Sequence, residues 1–197
     1  VQEQQTDLNM DTDKRPIDPV IKLAFDHAWI CLKEALPKIR LESLNESTFR
    51  YFFLLGLVAQ RMEIDFDTEW YRNDLLVRAG GPEQRLMLIE FKFYRFKRRR
   101  EVDGKQTAKQ RFPGKKNKKE FENSLRRLKK FPNGPHHLKR KKVQGKAIAG
   151  KYLIAVIESS LSKEKDFWSY YKTQRFDATT SLPHDGGQVV GCIRVVS

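Results

Sequence analysis

The chain has 197 residues, 39% of them apolar, and a formal net charge of +14 at neutral pH. That is enough for one domain with a real core, and the lack of any apolar run of about 18 residues excludes a transmembrane helix. The charge is concentrated, since residues 92–146 hold 22 Lys and Arg against 4 Asp and Glu. Such a stretch, interleaved with aromatics, points to a polyphosphate partner, and to nucleic acid before a membrane surface.

In chain order, residues 1–17 are polar and acidic, read as a flexible segment that is neither a signal nor a transit peptide. Pro19 opens a helix over 20–36, with Ile21, Ala24, Phe25, Ala28, Trp29 and Leu32 recurring at three and four, and Pro37 ends it. A second helix over 45–61 has Asn45 or Ser43 as its cap. Phe49, Phe52, Phe53, Leu55, Leu57 and Val58 cover so much of its surface that a central, well-buried helix is expected. Strands follow over 64–71, 74–79 and 85–96, the last two flanking the turn Gly80-Gly81-Pro82.

Residues 97–117 read as a basic loop, 118–131 as a helix with Phe121, Leu125 and Leu128 on one face, and 132–146 as a second basic loop. An apolar run over 151–158 has the length of a buried strand, 166–173 reads as helical, and 188–196 as a last strand. The expected fold class is α/β, a central mixed sheet flanked by helices, within a single domain over 18–197. Cys31 and Cys192 lie far apart and read as reduced core thiols of a cytoplasmic protein.

Chemistry-bearing residues gather at the hairpin. A turn about Pro82 sets Asp74 directly opposite Glu90, and alternation along the strand places Glu90 and Lys92 on the same face. Their neighbours are Leu75, Leu76, Val77, Leu86, Leu88 and Ile89. Opposed carboxylates in apolar surroundings repel, and a divalent cation with oxygen ligands relieves that repulsion. Glu46 falls in the first turn of the second helix, where it suits the helix dipole or pairs with Arg50. Glu42, Glu69 and Glu158 are rivals for a further ligand.

Asn73-Asp74 and Glu90-Phe91-Lys92 resemble the motif of the PD-(D/E)XK nuclease superfamily, with Asn73 in the place of the usual Pro. The resemblance covers about residues 43–158 and implies a restriction-endonuclease-like αβββαβ core, with basic insertions at 97–117 and 132–146. It also implies Mg²⁺, with Mn²⁺ able to substitute, held by Asp74, Glu90 and the Phe91 carbonyl. Lys92 would serve the attacking water and Glu46 would assist. The implied activity is phosphodiester hydrolysis, with DNA favoured over RNA. Arg98, Arg99, Arg100, Lys115, Lys116, Lys118 and Lys119 are expected to contact phosphates. A homodimer or a partner protein subunit would suit cleavage of both strands. The rival readings are a non-catalytic nucleic-acid-binding domain and an RNA-cleaving toxin nuclease domain.

Other motifs are weaker. Gly145 to Lys151 has P-loop spacing, but Tyr152 follows it and it precedes a strand. His136-His137 lacks companion ligands, and Asp65 and Asp67 read as the solvent face of an outer strand.

Overall fold

The computed structural model describes residues 15–38, 44–70, 73–80, 84–94, 115–131, 147–160, 174–184 and 187–197. Helix α1 spans Pro19–Ala35 and starts where the sequence places it. Asp18 caps it by accepting from the Val20 N–H at 2.9 Å, and Pro19 sits where no helical N–H is needed. Val20, Ile21, Ala24, Phe25, Ala28, Trp29 and Leu32 form its buried stripe.

Helix α2 spans Glu46–Val58, capped by Asn45, whose Oδ1 accepts from the Thr48 N–H at 2.9 Å. It is not buried all round, contrary to expectation. Phe49, Phe53, Gly56 and Leu57 are buried, whereas Tyr51, Leu55 and Val58 are exposed. The helix packs on α1 and the sheet, and among the described residues no further layer covers its outer side. Gly56 permits the close crossing of the two helices, because a Cβ there would lie 2.8 Å from His27 Cβ and 2.9 Å from the Ala24 carbonyl.

The strands are β1 (Ile64–Trp70), β2 (Asn73–Ala79), β3 (Arg85–Tyr94), β4 (Ile148–Ser160), β5 (Ala178–His184) and β6 (Gly187–Val195). They form one sheet in the order β1-β2-β3-β4-β6-β5, in which only β3 and β4 are parallel neighbours. A parallel pair needs a crossover, and helix α3 (Lys115–Lys130) lies within it. The fold is therefore α/β, with a six-stranded mixed sheet flanked by helices. No described helix is long and apolar enough to cross a membrane.

Strand alternation divides the core in two. Leu75, Val77, Met87, Ile89 and Phe91 join α1 and α2 on one face. Leu76, Leu86, Leu88, Tyr94, Leu153, Ala155 and Ile157 meet Phe121 and Leu128 of α3 on the other. At about 25 cal/mol per Å² of apolar area, burial on both faces is what holds the layers together.

Several expectations are corrected. Lys115 to Asn117 belong to α3 and not to a loop, because Asn117 is buried and starts the inward face continued by Phe121 and Ser124. β4 begins at Ile148, three residues early, so the P-loop-like spacing runs into a strand. β5 was not foreseen in Ala178–His184, which carries Pro183 and pairs only with β6 at the sheet edge, where proline is tolerated. Asp65 and Asp67 do lie on the outer strand, as expected, and ion-pair with Arg78. The basic stretch 95–114, the loop 132–146 and the helix expected at 166–173 lie outside the described residues.

Candidate functional site

The β2–β3 ladder pairs Leu75 with Ile89 and Leu76 with Leu88. One step further, that register sets Asp74 opposite Glu90, as the turn about Pro82 predicts. Both acids and Lys92 have the parity of Leu76 and Leu88, so they face α3. Phe91 points the other way, into the α1–α2 core, packing edge-on against Phe53 with ring centroids 5.2 Å apart.

Glu90 is the centre of the cluster and is only 2% exposed. Its Oε1 lies 2.9 Å from Lys92 Nζ, accepts from the Ser124 hydroxyl at 3.1 Å, and ion-pairs with Arg127. Its Oε2 is buried and has no hydrogen-bond partner among the described residues. Burying an unsatisfied carboxylate oxygen is costly, so this atom could accept a further donor or a cation.

Asp74 is fixed by the chain itself, because its Oδ2 accepts from the Phe91 N–H at 2.6 Å. Its Oδ1 stands 3.7 Å from Arg50 on α2. Burial and the Glu90 charge push the Asp74 carboxyl above its ordinary range, against the Phe91 N–H, Lys92 and Arg50. Glu46 enters from the first turn of α2 and lies 3.8 Å from Lys92. Burial raises its pKa to about 7, opposed by Lys92 and aided by Asp74, Glu90 and Glu120. For Lys92, burial works against the charge, but Glu90, Glu46 and Asp74 outweigh it and hold the ammonium above its usual range.

The structure thus brings Glu46, Asp74, Glu90 and Lys92 together. Among the described residues it forms no cluster of three His, Cys, Asp or Glu side chains spaced as a finished metal cage. Lys92 and Arg127 stand among the acids instead. The oxygen-only donor set and the unpartnered Glu90 Oε2 nevertheless fit a hard divalent cation.

Glu69 stands on β1, apart from the buried acids. It is exposed and bonded to Arg50 at 2.6 Å. Glu158 has the parity of Ile154 and Val156 on β4, which places it on the face opposite Glu90. Glu42 lies outside the described residues, as do Arg98, Arg99 and Arg100. Lys116 and Lys119 are exposed on α3, Lys118 is half-exposed, and Lys115 opens the helix.

Sequence reasoning missed the contribution of α3. Glu120 lies 3.9 Å from Lys92, and Ser124 and Arg127 reach Glu90. Their spacing of four and three residues draws one polar line beside the apolar face, and that line was the available signal. Both cysteines are free, and Cys192 is buried. Compared with known proteins, the chain matches no family model, no curated protein and no solved structure.

Proposed function

We propose that the chain is a magnesium-dependent endonuclease that hydrolyses phosphodiester bonds, with DNA the favoured substrate. The observation that carries this reading is the buried, unpartnered Glu90 Oε2 with Asp74 set opposite it. Two further features support it. The run α2-β1-β2-β3-α3-β4 has the αβββαβ order of the PD-(D/E)XK nucleases that the motif resembles. The cationic stretch begins directly after the strand that bears Glu90 and Lys92.

Asp74 and Glu90 would hold the metal, with the Phe91 carbonyl as a third oxygen ligand. When bound, the cation would polarise the scissile phosphate and acidify a water. The chain's own residues supply the rest. The Phe91 N–H orients Asp74. Lys92, beside Glu90 and Glu46, would supply a charge that steadies the developing phosphorane. Glu46, 3.8 Å from Lys92, would take the proton of the attacking water. Arg127 would exchange its ion pair with Glu90 for a substrate phosphate.

The second reading, a non-catalytic nucleic-acid-binding domain, is favoured by one observation: Lys92 and Arg127 already neutralise Glu90. A panel of plasmid DNA and total RNA, incubated with and without Mg²⁺, separates the two. Wild type should cut DNA only with metal, and Lys92→Ala should bind without cutting. Binding without cutting by wild type across several metals would establish the second reading, and RNA-only cutting would reassign the substrate.

A further inference from the structure

Helices α1 and α2 cover one face of the sheet, and their own outer side lies open among the described residues. Tyr51, Leu55 and Val58 recur at four and three along α2, so they share its outward stripe, and Met62 follows just past its end. Leu23 and Ile30, two turns apart, share the outer side of α1. These six are all the large apolar side chains left exposed among the described residues, and each is between 39% and 70% exposed. Single exposed apolar side chains are ordinary, but a set gathered on one layer marks a contact surface.

Area and charge say what meets it. At roughly 200 Å² for a fully open large side chain, the six present on the order of 600 Å² of apolar surface. A stable interface takes about 800 Å² from each partner, and in homodimers about two-thirds of that is apolar. The face therefore supplies the apolar area that one half of a dimer needs. The chain carries +14, so two copies repel wherever their cations meet. Helix α3 has eight Lys and Arg against Glu120 and Glu122. In contrast, α1 balances Lys22 and Lys33 with Asp26 and Glu34, and α2 balances Arg50 with Glu46. The neutral side is thus the side on which two such chains can close. A lipid surface would call for cations flanking the stripe, and these lie on α3 instead.

We propose that this face joins two copies of the chain about a twofold axis, stripe against stripe. A twofold contact needs one patch that complements itself, and an uncharged apolar stripe does so. Asp74, Glu90 and α3 lie on the other face of the sheet, so both copies keep them open. The contact stands apart from the chemistry of those acids, and no cleavage result bears on it.

The test is sedimentation velocity of the whole chain at micromolar concentrations, for wild type, Val58→Lys, Tyr51→Gln and Asn123→Lys. Val58 and Tyr51 are exposed, and lysine is a better helix former than valine and suits a last helical turn, so the variants should fold, which circular dichroism checks. Asn123→Lys adds the same charge at an exposed position of α3 as a control. Peroxide oxidation of Met62, read by mass spectrometry, reports on the stripe directly.

Wild type should sediment at twice the 23.2 kDa of one chain. Val58→Lys should weaken the dimer by about hundredfold or more, since each copy carries an ammonium into the contact. Tyr51→Gln should weaken it by about tenfold. The control should stay within about twofold of wild type. Met62 should oxidise slowly in the wild-type dimer and fast in Val58→Lys. Raised salt should hold or tighten the dimer, because it screens the repulsion between like chains. A wild type that stays monomeric would overturn the proposal. Fast oxidation of Met62 in that monomer would leave the stripe to a different protein, and slow oxidation would put another part of the same chain over it. A dimer that both stripe variants keep would also overturn it and place the contact elsewhere. So would a dimer that parts as salt rises, which would mean copies bridged through their cations.

Discussion

Arg127, carried by α3, ion-pairs with Glu90 on β3 at the same carboxylate oxygen that Lys92 approaches. A cation so placed competes with a metal for the same acid. An ion pair with one half-exposed partner is worth on the order of 1 kcal/mol after screening. Arg127→Ala should therefore bind Mg²⁺ about fivefold more tightly in the absence of nucleic acid. Calorimetric titration measures this, and an unchanged or weaker affinity would remove Arg127 from the metal site.

Lys92 has two tasks that separate experimentally. As the charge nearest Glu90 and Glu46 it should be worth about 10²- to 10⁴-fold in cleavage rate. It also holds the acids together, so Lys92→Ala should melt several degrees lower without metal and regain most of that loss with Mg²⁺. A thermal melt with and without the ion checks this. A loss that Mg²⁺ does not repair would mean that the ion does not bind among these acids.

The acids give the metal-free protein a particular pH response. Glu46 titrates near 4.5 when unfolded and near 7 in the fold, so the fold holds its proton more tightly. The stability it contributes is fully present below pH 4.5 and is lost as the pH rises through about 7. Asp74 shifts in the same direction. Glu46→Gln mimics the protonated acid, so it should match wild type at the acid end and exceed it in stability above 7. Denaturant titrations of both proteins across that range measure the difference, and parallel curves would refute the shift.

Gly56 offers a test of the fold apart from the site. Alanine would gain about 1 kcal/mol in helix propensity. Its Cβ would meet His27 Cβ at 2.8 Å and the Ala24 carbonyl at 2.9 Å, and such overpacking costs about 1–3 kcal/mol. Gly56→Ala should thus be destabilised by about 1 kcal/mol in urea. A more stable variant would mean that the helices do not cross so closely.

Much of this arrangement is legible in the residues. The stripe from Val20 to Leu32 and the cap at Asn45 announce α1 and α2. Gly-Gly-Pro in the sequence predicts the β2–β3 register that is found, and alternation then puts Asp74, Glu90 and Lys92 on one face. What escaped reading depends on tertiary contacts. Val58 and Leu55 look like core by hydrophobicity, but nothing described covers them. Ala178–His184 is polar and carries a proline, so only its pairing with β6 makes it a strand. Arg127 looked like one cation among many until the crossover laid α3 over Glu90.

Nicking of supercoiled plasmid by wild type and Glu90→Gln, each with Mg²⁺ and with a chelator, tests the central claim most directly. The variant keeps the shape of the side chain and removes the charge that would hold the ion. Wild type should nick only with Mg²⁺, and Glu90→Gln should not nick under either condition. Equal nicking by the two proteins, or nicking that survives the chelator, would contradict a metal site at Glu90.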